Sequence, residues 1–209
     1  MKKETTTRDR ILEAALKIFS RKGYLGTTTR EIAVGACVAE VTLFRHFSSK
    51  ERLFEEVISW YSFLPALKGL LPELRDRDYR DALFLIAGRF LGILKQRREL
   101  VRIVQSEMHR SPRIREIFYL FTDDMFKTLA SYFRELRGKG MLRDVDPEYA
   151  ARAFLGMFFS YFYREEFIAD RRIKKTELDR AMKEFIEIFV RGTLQETGHI
   201  RHGSRRRSS

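Results

Sequence analysis

The chain has 209 residues, of which 44% are hydrophobic, 33% are charged and eighteen are Phe, so it can bury a real core without metal or disulfide staples, which excludes a disordered chain. Its single Cys cannot form an internal bridge, which fits a reducing cytoplasm, and a start at Met1 and Lys2 with no apolar run behind them is expected to carry no secretory signal. Net charge is +12 and unevenly placed, with ten Lys or Arg against five acids in residues 1–50 and four more cations from Arg201 onward, so a polyanion is drawn to the ends of the chain.

Apolar residues recur at helical spacing almost throughout, and the fold is expected to be all-α. A first helix reads from about Thr7 to Lys22, with Ile11, Ala14, Ala15, Ile18 and Phe19 on one stripe and Gly23 at the place of a left-handed cap. Thr28 with Glu31 makes a capping box for a short helix ending at Gly35, and a third helix runs from about Ala39 to His46. Ser48 or Ser49 then caps a helix running to about Phe63, after which Pro65 and Pro72 bracket a break. Further helices are expected over 78–97, 99–110, 112–138, 147–168 and 177–195. Pro112 and Pro147 fall in first turns, Gly138 and Gly140 end one helix, and Thr176 caps the last. The longest apolar stretches, such as 154–163, are too short to span a bilayer and close on Arg164, Glu165 and Glu166. No membrane partner is expected.

Two short helices joined by a tight turn, behind a longer first helix, read as a helix-turn-helix. Ile32, Ala33, Val38, Leu43 and Phe47 are spaced to pack against Ile11, Ile18 and Phe19, which leaves Arg30, Glu40, Val41, Thr42, Phe44, Arg45 and His46 toward solvent or a DNA groove. The run from Gly23-Tyr24 through Thr27-Thr28-Thr29-Arg30-Glu31-Ile32-Ala33, then Val38, then Thr42-Leu43-Phe44-Arg45-His46-Phe47, then Ser49-Lys50-Glu51-Arg52-Leu53, resembles the TetR family of transcriptional regulators. Asp146-Pro147-Glu148 leading into Ala150-Ala151-Arg152-Ala153-Phe154 is similar to the penultimate helix of many members.

The resemblance implies a helix-turn-helix DNA-binding domain over 1–50, a larger helical ligand-binding and dimerisation domain over 51–197, and leaves a basic, disordered tail over 198–209. It also implies a homodimer that binds a pseudo-palindromic double-stranded operator, usually represses, and is released by a small, largely apolar effector, with no cofactor. Thr42, His46 and Lys50 fall where the family holds phosphates, setting register and not sequence. Thr29, Arg30, Glu40, Val41, Phe44 and Arg45 complete the DNA-facing set, with Arg30 and Arg45 suited to a bidentate guanine contact.

Three positions depart from the family pattern. Cys37 stands where Gly is common, so the turn is either strained or takes another path. Phe44 replaces Tyr and Val41 replaces Gly, adding apolar bulk to the reading face. Glu40 would repel phosphates unless it accepts from a cytosine amine or pairs with Arg45.

Cys37 reads as a small buried turn residue before it reads as a redox sensor. His109 beside Glu107 has no second His near it in sequence, so no metal site is expected. No phosphate-binding Gly loop, metalloprotease helix motif or nucleophile elbow is present, and an enzyme is not expected. The aromatic-rich stretch from Trp60 to Tyr163 is either plain core or the wall of an apolar cavity. Trp60, Tyr61 and Phe63, Phe84 and Phe90, Phe118, Phe121 and Phe126, and Phe158 and Phe162 supply those aromatics; Trp60, Phe84, Phe121, Phe158 and Phe162 are the candidate pocket side chains among them, with Arg89, Gln105, Glu107, His109 or Asp124 as polar contacts. Phe154, Phe158, Tyr161 and Phe162 on one helix, with Phe185, Ile186, Phe189 and Val190 on the next, are candidates for a four-helix dimer seam; the alternative is that they cover their own domain. Rival readings of the whole chain are a helical ligand-binding or scaffold protein that lacks specific DNA recognition, and a non-specific DNA-binding protein.

Overall fold

The computed structural model describes residues 6–195; the basic tail expected over 198–209 lies outside them. Ten α-helices occur among the described residues: α1 Thr7–Lys22, α2 Thr29–Gly35, α3 Glu40–His46, α4 Lys50–Tyr61, α5 Phe63–Leu74, α6 Tyr79–Gln96, α7 Arg98–Arg110, α8 Pro112–Gly138, α9 Pro147–Tyr163 and α10 Lys175–Thr193. The last turn of α9 widens into a π-helical turn, Arg164–Ile168. The one β-bridge among them pairs Leu142 with Leu194 and ties the α8–α9 loop to the end of α10, so the chain is all-α.

Local chemistry accounts for most boundaries. Thr6 and Asp9 form a reciprocal capping box at the start of α1, and Thr28 and Glu31 do the same for α2. Ser49, not Ser48, caps α4 by accepting from the Arg52 amide at 3.1 Å. Gly23 ends α1 at φ 75° and ψ 172°, an extended backbone region open to Gly and outside the left-handed cap that its position suggests.

Two expectations need correction. No break lies between Pro65 and Pro72, because that segment is α5. Pro65 occupies the first turn, where an amide would have no helical partner, and Pro72 is exposed near the end, where its missing amide costs the one ladder bond to the Lys68 carbonyl and the helix ends two residues later. Thr176 is not a cap either. The last helix begins at Lys175, and the Glu177 carboxylate accepts from the Lys174 amide at 3.1 Å.

The helices enclose two cores. The first gathers α1 to α4 and continues into α7 through Leu100, Ile103 and Val104 and into the start of α8 through Ile114 and Ile117. The division expected after residue 50 falls inside this core, since Leu53, Phe54, Val57 and Ile58 of α4 belong to it. At its centre Phe54 lies 5.0 Å from the Phe19 ring and 4.9 Å from the Tyr24 ring. Burying a side chain of this size contributes about 1.5–3 kcal/mol, which binds α4 to α1 firmly.

The second core packs α5, α6, α9 and α10 around the C-terminal half of α8. Phe154, Phe158, Phe162, Ile186, Phe189 and Val190, candidates for a dimer seam, are buried in it. They cover their own domain. Tyr161 and Phe185 are half-buried at its edge, with ring centres 5.9 Å apart.

A buried ionic cluster fixes α7 to the π-helical turn. Arg98 Nε lies 3.0 Å from Glu166 Oε2, and Glu166 also accepts from the Ile173 amide at 3.1 Å and pairs with Arg172 at 3.3 Å. These partners compensate the fully buried carboxylate for the water it has lost.

Candidate nucleic-acid interface and ligand cavity

The turn between α2 and α3 closes as a complete Schellman motif. The Cys37 amide donates to Val34 O and the Val38 amide to Ala33 O, both at 3.0 Å. Closure requires a left-handed residue between them, and Cys37 takes it at φ 54°. The strained branch of the two paths expected for this turn is therefore the one adopted, at a cost of about 1 kcal/mol. Cys37 is exposed, which corrects its reading as a buried turn residue, because Ala36 before it is buried and Val38 after it half-buried while the left-handed residue turns outward.

On the short α3 only Leu43 is buried. Val41 and Phe44 are 75% and 44% exposed, and Arg45 and His46 are also exposed, with Thr42 half-buried among them. The exposed side chains of α3 thus make one surface, the candidate DNA-facing one, and Arg30 is exposed at the start of the neighbouring α2. Glu40 does not pair with Arg45. Five residues along a helix turns a side chain about 140° from its starting direction, and Glu40 instead accepts from the Thr29 hydroxyl at 2.6 Å. That bond couples the first turns of α2 and α3 and turns the carboxylate back toward the protein.

Lys50 opens α4 beside this surface. Its ammonium lies 4.4 Å from the centre of the Tyr24 ring, and the Tyr24 hydroxyl donates to Glu51 at 2.9 Å. Partial burial lowers the Lys50 pKa, opposed by the charges of Glu51 and Glu107. Glu51 is held below the ordinary carboxylate range by a backbone amide and the Tyr24 hydroxyl.

Behind the DNA-facing domain a cavity of about 350 Å³ opens between the cores, within the range of small-molecule sites. Ile58 and Tyr61 of α4, Phe90 of α6, Val101 and Val104 of α7, Phe118, Phe121 and Phe126 of α8, and Leu155 of α9 line it. Ser62, Gln105 and Thr122 are its neutral polar groups, and Arg97 is the one charged side chain among the described lining residues. The Arg97 guanidinium sits 4.7 Å from the centre of the Tyr61 ring.

Of the aromatic side chains that the sequence offers as core or cavity wall, Tyr61, Phe63, Phe90, Phe118, Phe121 and Phe126 line the cavity, and of the polar candidates Gln105 does. Trp60 is exposed, with the Arg8 guanidinium 5.2 Å from its ring centre. Phe84 is half-buried against the second core, Arg89 lies in a groove between α5 and α6, and His109 and Asp124 are exposed. Phe158 and Phe162 are core. Glu107 is buried, but two residues beyond Gln105 it points about 200° away around α7, toward Tyr24 and Lys50, whose charges it influences. Arg97 and Val101 were not among the pocket candidates; the apolar pair Leu100 and Val104, four apart on α7, is the signal in sequence that marks that helix as facing inward. Among the described residues no group of three His, Cys, Asp or Glu side chains is placed to hold a metal, and no helix is long and apolar enough to cross a membrane.

Comparison with known proteins matches both parts of this geometry. Residues 11–57 match the bacterial regulatory proteins of the tetR family, and residues 81–192 match the AefR-like transcriptional repressor C-terminal domain. The chain is 28% identical over 186 residues to YvkB, an uncharacterised HTH-type transcriptional regulator of Bacillus subtilis, covering 89% of this chain and 96% of that one. It is 37% identical over 136 residues to IcaR, the HTH-type negative transcriptional regulator of the biofilm operon icaADBC of Staphylococcus aureus, covering 63% of this chain and 72% of that one. The crystal structure of a TetR-family regulator from Mesorhizobium loti superposes with a TM-score of 0.79 at 28% identity, covering 90% of this chain and 97% of that one. With a DNA-facing helix-turn-helix and an AefR-like helical domain that together account for most of its length, the chain belongs to the TetR family of bacterial transcriptional regulators, proteins that act by binding DNA and not by catalysis.

Proposed function

We propose that the chain is a repressor that binds a pseudo-palindromic operator as a homodimer and leaves it when a small, largely apolar effector enters the cavity. One observation carries this reading: α4 has Lys50 in its first turn, beside the DNA-facing surface, and Ile58 and Tyr61 in its last turns, on the cavity wall. A twelve-residue helix is about 18 Å long, so a ligand that displaces its far end tilts or shifts the near end. Such a ligand releases DNA only by binding the non-binding arrangement more tightly.

A homodimer is supported by the outward faces of α9 and α10. Ala153 with half-buried Met157 on one, and half-buried Ala181 and Phe185 with 62% exposed Ile188 on the other, leave apolar surface that the protomer covers only in part. Two such helices from each subunit make a four-helix seam. It would set the two copies of α3 about 34 Å apart, one helical turn of DNA.

The test is a footprint of the full-length protein on genomic fragments at moderate salt, with molar mass measured by light scattering. Protection of a two-fold symmetric site by a dimer supports the proposal. Equal affinity for every fragment, or a monomer at the protected site, overturns it.

A further inference from the structure

The apolar cavity has a charged doorway. Arg97 and Leu100 line it and also line a second, polar cleft of about 390 Å³ between α1 and the α6–α7 junction. Lys17, Lys95, Arg98 and Arg172 join Arg97 in that cleft, against two acids, Glu13 and Glu99. Some of this charge is already engaged. Arg98 and Arg172 lie 3.0 and 3.3 Å from Glu166, Glu99 lies 3.2 Å from Arg98, and Lys95 donates to Ile173 O at 2.9 Å.

Arg97 is different. No carboxylate among the described residues lies within ion-pair distance of it, and its contact is the face of Tyr61. A half-buried guanidinium at the mouth of an apolar cavity carries a desolvation cost unless an anion meets it. Its planar fork is suited to two parallel hydrogen bonds from a carboxylate or a phosphate, and Tyr61 holds the plane in place.

Building on the apolar-effector reading above, we propose that the effector is an amphipathic anion whose tail fills the cavity and whose acidic headgroup is held by Arg97 at the doorway and faces the basic cleft. The tail is short to medium. At roughly 30 Å³ per water-sized volume the cavity holds about a dozen non-hydrogen atoms. Arg97 thereby selects among ligands of equal hydrophobicity, which the apolar walls cannot do, because a site built to pair a charge rejects an analogue lacking it far more strongly than an apolar wall rejects a change of shape.

Four probes with a twelve-carbon chain, each below its micelle or solubility limit, test this by calorimetry on the full-length protein: dodecanoate, dodecyl phosphate, methyl dodecanoate and dodecylammonium. At least one anion is expected to bind tenfold or more tighter than the methyl ester, with the ammonium weakest. Arg97→Ala should bring that anion down to the affinity of the ester without moving the ester, and Arg97→Lys should restore part of the preference. A tighter phosphate than carboxylate places the headgroup source among phosphate-bearing lipids, and the reverse among free acids. Equal binding of ester and anions, or an anion preference that survives Arg97→Ala, overturns the doorway proposal and leaves the apolar-effector reading standing. Should none of the four bind, both fall. Val101→Trp, which fills the cavity, should abolish all binding with the thermal unfolding transition retained; binding that persists at full strength overturns the placement of the tail.

Discussion

The Lys50 ammonium rests 4.4 Å above the Tyr24 ring, and the same tyrosine ties its hydroxyl to Glu51 at 2.9 Å. Tyr24 follows α1 and Lys50 opens α4, so the cation beside the DNA-facing surface is positioned by two elements of one core. A lysine held over an aromatic face keeps its charge while losing freedom, which reduces the entropy lost when it meets a phosphate.

Lys50→Ala is therefore expected to weaken binding to all DNA sequences alike and to reduce the salt slope of log K by about one. Arg30→Ala should instead relax preference at one base position, with a loss of about 1–3 kcal/mol on the preferred operator. Fluorescence anisotropy titrations at several salt concentrations, on operator and on random duplex, separate the two. Identical behaviour of both variants would show that phosphate and base contacts are wrongly divided between them.

The helix-turn-helix was legible because its signals are local. Thr28 and Glu31 cap each other three residues apart, and both act within α2. Other features were hidden for physical reasons. Proline read as a break conceals α5, because a ring in the first turn is tolerated, one near the end removes a single ladder bond, and sequence alone does not say where the turns fall. Helical period identifies the apolar face of α9 but not what meets it: Phe154, Phe158 and Phe162 face α8 and α10 of their own chain. The cavity wall is harder still, since Phe118 and Leu155 converge only through the packing of α8 on α9.

Cys37→Gly is expected to stabilise the chain by up to about 1 kcal/mol, because Gly takes positive φ without the Cβ penalty while losing somewhat more chain entropy on folding. An internal comparison supports it. The same hydrogen-bond pattern closes α8, where Gly140 sits at φ 72° with its amide on Arg137 O at 2.9 Å and the Met141 amide on Leu136 O at 3.1 Å. Urea unfolding measures the gain. A clear loss of stability would mean that the Cys37 side chain makes a compensating contact.

Two buried tyrosines should answer oppositely to removal of the hydroxyl. Thr193 donates to Phe189 O at 2.7 Å, so at 2.8 Å it accepts from Tyr79, and Tyr79→Phe is expected to cost about 1 kcal/mol. The Tyr132 hydroxyl is buried with no hydrogen-bond partner among the described residues, so Tyr132→Phe should be neutral or stabilising by about 1 kcal/mol. Burial, with Glu135 and Asp78 nearby, pushes the Tyr132 pKa up to about 12. A raised folded pKa stabilises fully below the unfolded value near 10 and is lost as pH rises through 12. Tyr132→Phe should therefore remove part of the loss of stability over that alkaline window, read from melting temperature against pH; an unchanged alkaline limb would place the lability elsewhere.

Arg98 and Glu166 lie almost out of solvent, at 8% and 0% exposure, and their pairing locks the first turn of α7 to the π-helical turn after α9. Removing one member of a buried pair strands the other, typically at about 3–5 kcal/mol. Glu166 keeps Arg172 and the Ile173 amide when Arg98 is lost, so Arg98→Ala should fall at the low end of that range. Arg98→Met with Glu166→Gln should recover much of the loss, since no bare charge remains inside. Chemical unfolding of the two variants decides it: a double variant less stable than Arg98→Ala would mean that the ion pair stabilises the fold beyond merely satisfying its own charges. Arg98→Ala should also loosen effector selection, because it frees the junction that holds Arg97 at the cavity mouth, and a preference for anionic probes intact in a folded Arg98→Ala protein would separate the two roles.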